Sequence, residues 1–282
     1  VIGSDKTGTL TLNQMTARRL HFRGRDLTVS GQGYTPAGGI SAVDGGAVPD
    51  LDPLLLPAAL CNDSDYADGA VLGDPLEGAL LVLADKAGLD RPAAAAAQPR
   101  TAEVPFDSEA RLMATEHRAG ERGRVYLKGA PEAVLGRCGY WLGPDGPAAL
   151  GDAELARLHE AAEAMAHDGL RVLALAYGDR PAPVTDGAEL PAGGLTLAGL
   201  VGLLDPPRPE AAEAVRRCVR AGIRVKMVTG DHAATATAIA RELGISGDVL
   251  TGGELDRLDD AALGERLADA GVLARVDPEH KV

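Results

Sequence analysis

Hydrophobic and polar positions divide the 282-residue chain into two textures. From residue 198 onward, apolar runs alternate with amphipathic stretches, the pattern of a parallel sheet covered by helices. Residues 198–204 (AGLVGLL) predict a buried strand. Pro209 and Glu210 open a helix with Ala211, Val215, Cys218 and Val219 on one face, and Gly222 closes it. Residues 223–228 predict the next strand, and Thr229-Gly230-Asp231 turns into a helix running to about Leu243 and stopped by Gly244. A polar helix near 260–269 precedes a third strand candidate at 272–276. These elements predict a Rossmann-like half sheet. In the middle of the chain, strands at 124–128 and 171–177 and helices at 76–88 and 152–167 are separated by Gly/Pro-rich connections at 31–53, 90–100 and 179–194. That texture predicts an α+β insertion, with the alanine run 93–97 as a linker.

Composition narrows the function classes. A hydrophobic content of 45% supports packed cores, and only 3% aromatic residues leave those cores to Leu, Val and Ala. A formal charge of −13 argues against nucleic acid or an anionic membrane surface as a partner for the whole chain, so an anionic ligand needs a locally basic pocket. Cys61, Cys138 and Cys218 are far apart without C-x-x-C spacing, which suggests neither a disulfide framework nor a zinc site and fits a reduced, cytosolic setting. No window approaches the roughly 18 to 20 apolar residues of a membrane helix, so the chain as given is expected to be soluble and monomeric.

The chemistry concentrates in residues 4–11, SDKTGTLT. An aspartate followed by lysine and a run of small hydroxyl and glycine residues places a carboxylate nucleophile, Asp5, in a loop whose backbone N–H groups can hold a phosphoryl group. This octapeptide resembles the phosphorylation motif of P-type cation-transporting ATPases, whose catalytic core belongs to the haloacid-dehalogenase-like superfamily. The resemblance implies a C-terminally truncated phosphorylation domain in two parts, 1–14 and 204–282, interrupted by a nucleotide-binding domain over 15–203 built on an antiparallel sheet. It also implies a cytoplasmic piece of a membrane pump that uses ATP and Mg²⁺ and transfers the γ-phosphoryl group to Asp5. Where the wider phosphatase superfamily carries a second aspartate, this chain has Thr7. The aspartyl phosphate is therefore expected to persist, which suits a pump better than the alternatives, a soluble phosphatase with a large cap domain or a plain nucleotide-binding module.

The same resemblance assigns roles residue by residue. Lys6 and Thr7 accompany Asp5, with Asp5 and the Thr7 carbonyl as partial magnesium ligands. MVTGDH resembles the second phosphate motif, with Thr229 and Gly230 at the phosphoryl oxygens and Asp231 capping the helix and also helping to order nucleotide. ARVDPEHK carries Arg275 as a nucleotide contact and Lys281 as the lysine that neutralises the acyl phosphate. In the D-P-P-R hinge, Asp205 is structural or touches nucleotide, and Arg208 is a ligand contact. GDPLEGAL, PFDSEARLM, KGAPE and GLRVLALAY supply Glu77, Phe106, Arg111, Lys128, Gly129 and Arg171 for an adenine-nucleotide site, with Phe106 either stacking on the purine or filling a core. Arginine at 111 stands where the family commonly has lysine. No GDG-type loop that would complete the magnesium site is present, so this stretch alone is expected to bind nucleotide but to phosphorylate itself poorly. The combination KGAPE, DPPR and residues 106–113 resembles type II members, calcium pumps among them. The transported cation would be chosen by a membrane domain the chain lacks.

Overall fold

The computed structural model describes residues 1–67, 69–182 and 193–277, without the side chains of 260 and 261. It is an α/β structure with both parallel and antiparallel pairing, divided into two compact units. One unit comprises 1–14, 166–170 and 205–282; the other comprises 15–165 and 171–204. No helix among the described residues is long and apolar enough to cross a membrane.

The first unit holds a four-stranded, all-parallel sheet in the order Ile2–Asp5, Val225–Val228, Ala270–Ala274, Asp248–Thr251. Parallel neighbours need crossovers, and helices Pro209–Arg220, Ala233–Leu243 and Asp260–Asp269 lie between the strands in sequence. Ala236, Ile239, Ala240 and Leu243 recur at helical spacing and are buried, as are Met227, Leu250 and Val272 of the strands. Gly244 ends its helix at φ 74°, a left-handed geometry suited to glycine. The expected helix faces hold less completely. Ala211 and Val215 are buried, but Val219, near the C-terminal end of the helix, is 58% exposed. The short strand Asp248–Thr251 and the turn of helix Gly252–Leu255 have no counterpart in the sequence reading.

The second unit is built on a sheet with the path Ile40–Ala42, Arg25–Val29, Thr16–Phe22, Leu195–Leu204, Arg171–Arg180, Arg122–Gly129, Leu112–Ala119, Arg100–Asp107, antiparallel throughout. The apolar run at 198–204 thus belongs to this sheet and not to the parallel one. Burial explains the misassignment: Leu195–Leu204 is central and almost wholly buried, and a continuous apolar run reports burial on both faces without saying which sheet buries it. Its first residues pair in parallel with Cys138–Gly143, and residues 199–204 pair antiparallel with Thr16–Phe22. Helices Asp52–Leu60 and Pro75–Lys86 pack on each other and on this sheet, burying Leu54, Leu55, Ala79, Leu80 and Leu83 against Leu20, Phe22, Leu27, Leu175 and Val201. Each such leucine contributes about 2 kcal/mol of hydrophobic stabilisation. The alanine run is not a linker but a short helix, Arg91–Ala97, because Asp90 caps it by accepting from Ala93 N–H.

Two outcomes follow from this packing. A Cβ at Gly199 would lie 2.6 Å from the His21 carbonyl oxygen and 3.0 Å from Leu54. Gly199→Ala is expected to cost roughly 1–3 kcal/mol in urea unfolding, through backbone displacement in the central strand pair. His117 is buried on Leu112–Ala119, with Nδ1 against the Gln98 carbonyl (2.9 Å) and Nε2 against the Thr115 hydroxyl (2.9 Å). Burial holds its pKa below the ordinary 6.5. The unfolded chain therefore binds the proton more readily, so this contribution to stability is present above pH 6.5 and is lost as pH falls from there through the lowered folded value. His117→Gln is expected to flatten that acid limb in a series of urea midpoints.

Candidate functional site

In the parallel-sheet unit the candidate residues gather at the C-terminal ends of the strands. Asp5 ends strand Ile2–Asp5, in register with Val228, and is exposed. The chain then turns through Lys6–Leu10, closed by Thr11 N–H donating to the Lys6 carbonyl at 3.0 Å, with Gly8 at φ 75°. Only a residue without a Cβ takes that angle without strain, so the glycine of the octapeptide is a backbone requirement. Thr7 is exposed beside it. Thr229 follows strand Val225–Val228; its N–H donates to the Leu273 carbonyl, and its buried hydroxyl accepts from Asp231 N–H at 3.1 Å. Gly230 is exposed at the turn. Arg275, at φ 49°, donates its N–H to the Asp231 carbonyl, which ties the 275–276 segment to the same turn.

Asp231, Lys6 and Arg208 sit differently from what the sequence suggested, and Asp205 takes the structural one of its two expected roles. Asp231 does not cap helix Ala233–Leu243; the capping position is His232, which makes no side-chain cap bond, and the Asp231 carboxylate pairs with the Lys6 ammonium. Lys6 is only 4% exposed and also lies 3.8 Å from Asp205 Oδ2. Asp205, 7% exposed, accepts from the Thr11 hydroxyl (2.5 Å) and from Gln14 N–H (3.1 Å), so both of its oxygens are engaged within the chain. Arg208 donates from Nη2 to the Gly8 carbonyl at 2.9 Å and from its N–H to the Leu10 carbonyl at 2.8 Å. Lys281 lies outside the described residues. Among the described residues no group of three His, Cys, Asp or Glu side chains is arranged to hold a metal ion. Asp5 and the Thr7 carbonyl supply only part of the octahedral oxygen shell that magnesium requires.

In the antiparallel unit, a cavity of about 500 Å³ is lined by Glu77, Phe106, Arg111, Lys128, Gly129 and Arg171 together. They come from helix Pro75–Lys86 and from strands or turns at 100–107, 111, 122–129 and 171–180, so the fold converges them from distant positions. Phe106 is 62% exposed, which removes the core alternative for it. Arg111, at φ 54°, pairs with Glu132 at 2.5 Å. The Lys128 ammonium is buried, pairs with Glu77 and donates to the Cys61 carbonyl at 2.5 Å. The other Glu77 oxygen accepts from Asp63 N–H and the Ser64 hydroxyl, both at 3.0 Å. Lys128 and Glu77 therefore form the cavity's internally compensated floor, while Arg111, Arg171 and the Phe106 ring are its exposed contacts. Gly129 serves the strands rather than ligand approach, since a Cβ there would meet the Arg111 carbonyl at 2.4 Å.

The sequence reading missed Asp63 and Ser64, which line the same cavity, and His232, whose ring nitrogens lie within 3.0 Å of Arg275 Nη2. The polar break CNDSD after the apolar helix Asp52–Leu60 was the available signal for the first two. The third stands at the end of the quoted MVTGDH, where the motif gave it no role.

The P-type ATPase cytoplasmic domain N family matches residues 50–210, more than half of the chain. The whole chain aligns with Cation-transporting ATPase pma1 of Synechocystis sp. at 42% identity over 301 residues, which is 33% of that protein. It aligns equally completely with Probable cation-transporting ATPase F of Mycobacterium tuberculosis strain H37Rv (43% over 300 residues, 33% of that protein) and with Calcium-transporting ATPase of Bacillus subtilis (38% over 297 residues, 33%). The chain spans about a third of the length of the curated relatives it matches. With a family match over most of its antiparallel unit and relatives of this similarity along its whole length, the chain belongs to the P-type cation-transporting ATPase family.

Proposed function

We propose that this chain is the nucleotide-binding and phosphoryl-accepting cytoplasmic portion of an ATP-driven cation pump. The observation that carries this reading is the convergence of Glu77, Phe106, Arg111, Lys128, Gly129 and Arg171 on one cavity. Its volume of about 500 Å³ suits a nucleotide. An exposed aromatic face is matched to a purine, and Arg111 and Arg171 supply cationic donors in a chain of net charge −13. The antiparallel unit is the nucleotide-binding domain on this reading, and the parallel unit is a phosphorylation domain of haloacid-dehalogenase type. The domain borders then fall after Gln14 and at residue 204.

ATP supplies the transferable γ-phosphoryl group. An Asp5 carboxylate oxygen forms the new bond to the γ-phosphorus as the bond from phosphorus to the β–γ bridging oxygen breaks, and ADP leaves with that electron pair. The N–H groups of the turn after Asp5 and the buried Thr229 hydroxyl are the donors available to the phosphoryl oxygens. Thr7, standing where a general acid and base would otherwise be, leaves the acyl phosphate long-lived. The cation remains unspecified: calcium belongs to the names of some relatives and not of others.

Titrating a fluorescent ATP analogue against the chain tests the cavity. Phe106→Ala is expected to weaken binding by the roughly 1–3 kcal/mol that stacking on a base contributes, and Arg171→Ala to weaken it as well. Unchanged affinity in both removes the site. Lys128→Ala is a poorer probe, because it removes the ion-pair partner of the half-buried Glu77 carboxylate and so lowers stability as well as affinity. For Asp5, a polypeptide spanning the length of the relatives should take up label from γ-labelled ATP as a hydroxylamine-sensitive adduct, and Asp5→Asn should abolish it. Label persisting in Asp5→Asn would refute the assignment of the nucleophile.

A further inference from the structure

Around the turn after Asp5, a single carboxylate makes contacts that a ligand-binding residue would leave open. Asp205 accepts from the Thr11 hydroxyl and the Gln14 N–H and stands 3.8 Å from the Lys6 ammonium, which Asp231 answers from the other side. Lys6 and Asp205 are nearly withdrawn from water, at 4% and 7% exposure. The residues after Asp205 extend the same grip. Leu12 N–H donates to the Pro206 carbonyl at 3.0 Å, Thr11 bridges Pro207, and Arg208 holds the carbonyls of Gly8 and Leu10. Residues 205–208 thus touch the 6–14 segment at nearly every second residue. A buried ammonium enclosed by two carboxylates also has little charge to offer a bound phosphate.

We propose that Asp205 is a positioning residue for the loop that carries Asp5. Its carboxylate, through Lys6, Thr11 and Gln14, fixes the path of residues 6–14, and Lys6 is spent inside that arrangement rather than directed at the phosphoryl group. Thr11 is the second member of the clamp, and its hydroxyl reaches both the carboxylate and the Lys6 carbonyl (3.1 Å). The consequence for catalysis rests on reading Asp5 as the nucleophile; the clamp itself does not. Loop placement matters there, because misplacing a reacting group by about 1 Å costs on the order of a hundredfold in rate.

Hydrogen exchange by mass spectrometry on the chain, for wild type, Asp205→Asn, Lys6→Met, Thr11→Val and the Lys6→Met/Asp205→Asn double variant, tests this, with ATP-analogue affinity measured in parallel. Asp205→Asn should raise exchange in residues 6–14 by about tenfold or more, as loss of charge-assisted hydrogen bonds implies, and leave strand Val225–Val228 protected. Thr11→Val, which removes one hydroxyl without touching the charges, should loosen the same segment to a smaller extent. The double variant should be less perturbed than the two single effects summed, because the two charges answer each other. Strict additivity, or exchange in 6–14 unchanged by Asp205→Asn while analogue affinity falls, overturns the proposal and returns Asp205 to the ligand contacts. If wild type binds no analogue, the nucleotide reading of the other unit fails, and the exchange pattern still decides the clamp.

Discussion

The constraint on which the parallel-sheet unit depends is the burial of one positive charge. An ammonium group taken out of water is tolerated only where carboxylates and hydrogen bonds surround it, and Lys6 meets that condition through Asp231 and Asp205. These partners come from distant parts of the chain. Asp231 follows the second strand of the sheet, and Asp205 stands at the first residue after the long strand Leu195–Leu204. Satisfying one lysine therefore ties the start of the chain to two segments about 200 residues away in sequence, and Asp5 is its immediate neighbour.

The antiparallel unit uses the same device to a different end. Lys128 on its strand is answered by Glu77 on helix Pro75–Lys86 and by the Cys61 carbonyl at the end of helix Asp52–Leu60. The pair ties two helices to the sheet and lines the cavity beside the exposed Phe106, Arg111 and Arg171. In both units the charge of the buried lysine is answered within the chain.

What was legible in the sequence follows from how local each signal is. Helices Pro75–Lys86, Ala233–Leu243 and Asp260–Asp269 were readable because their signals are local: an aspartate cap opens the first and the third, and Gly244 ends the second. Strand Asp248–Thr251 was not, since four residues carry no period. The run at 198–204 was visible as a strand, but its texture grouped it with the parallel sheet while the expected domain border at 203 put it in the antiparallel unit, because hydrophobicity records burial and not partners. The cavity residues could be named from short motifs that resemble a family, but their arrangement could not. The pairing of Glu77 with Lys128 spans 51 positions, and that of Thr11 with Asp205 spans 194, so only the fold reveals which charges are already compensated.

Strand Ile2–Asp5 forms one margin of its sheet, held by a register of four residue pairs with Val225–Val228, and no strand flanks its outer side among the described residues. A margin of this kind is a template onto which a further extended segment can add by main-chain hydrogen bonding. Among the described residues, the main-chain pairing that holds the Asp5 end of that strand therefore comes from Val225–Val228, and a segment added along the outer side would stiffen the mounting of the carboxylate.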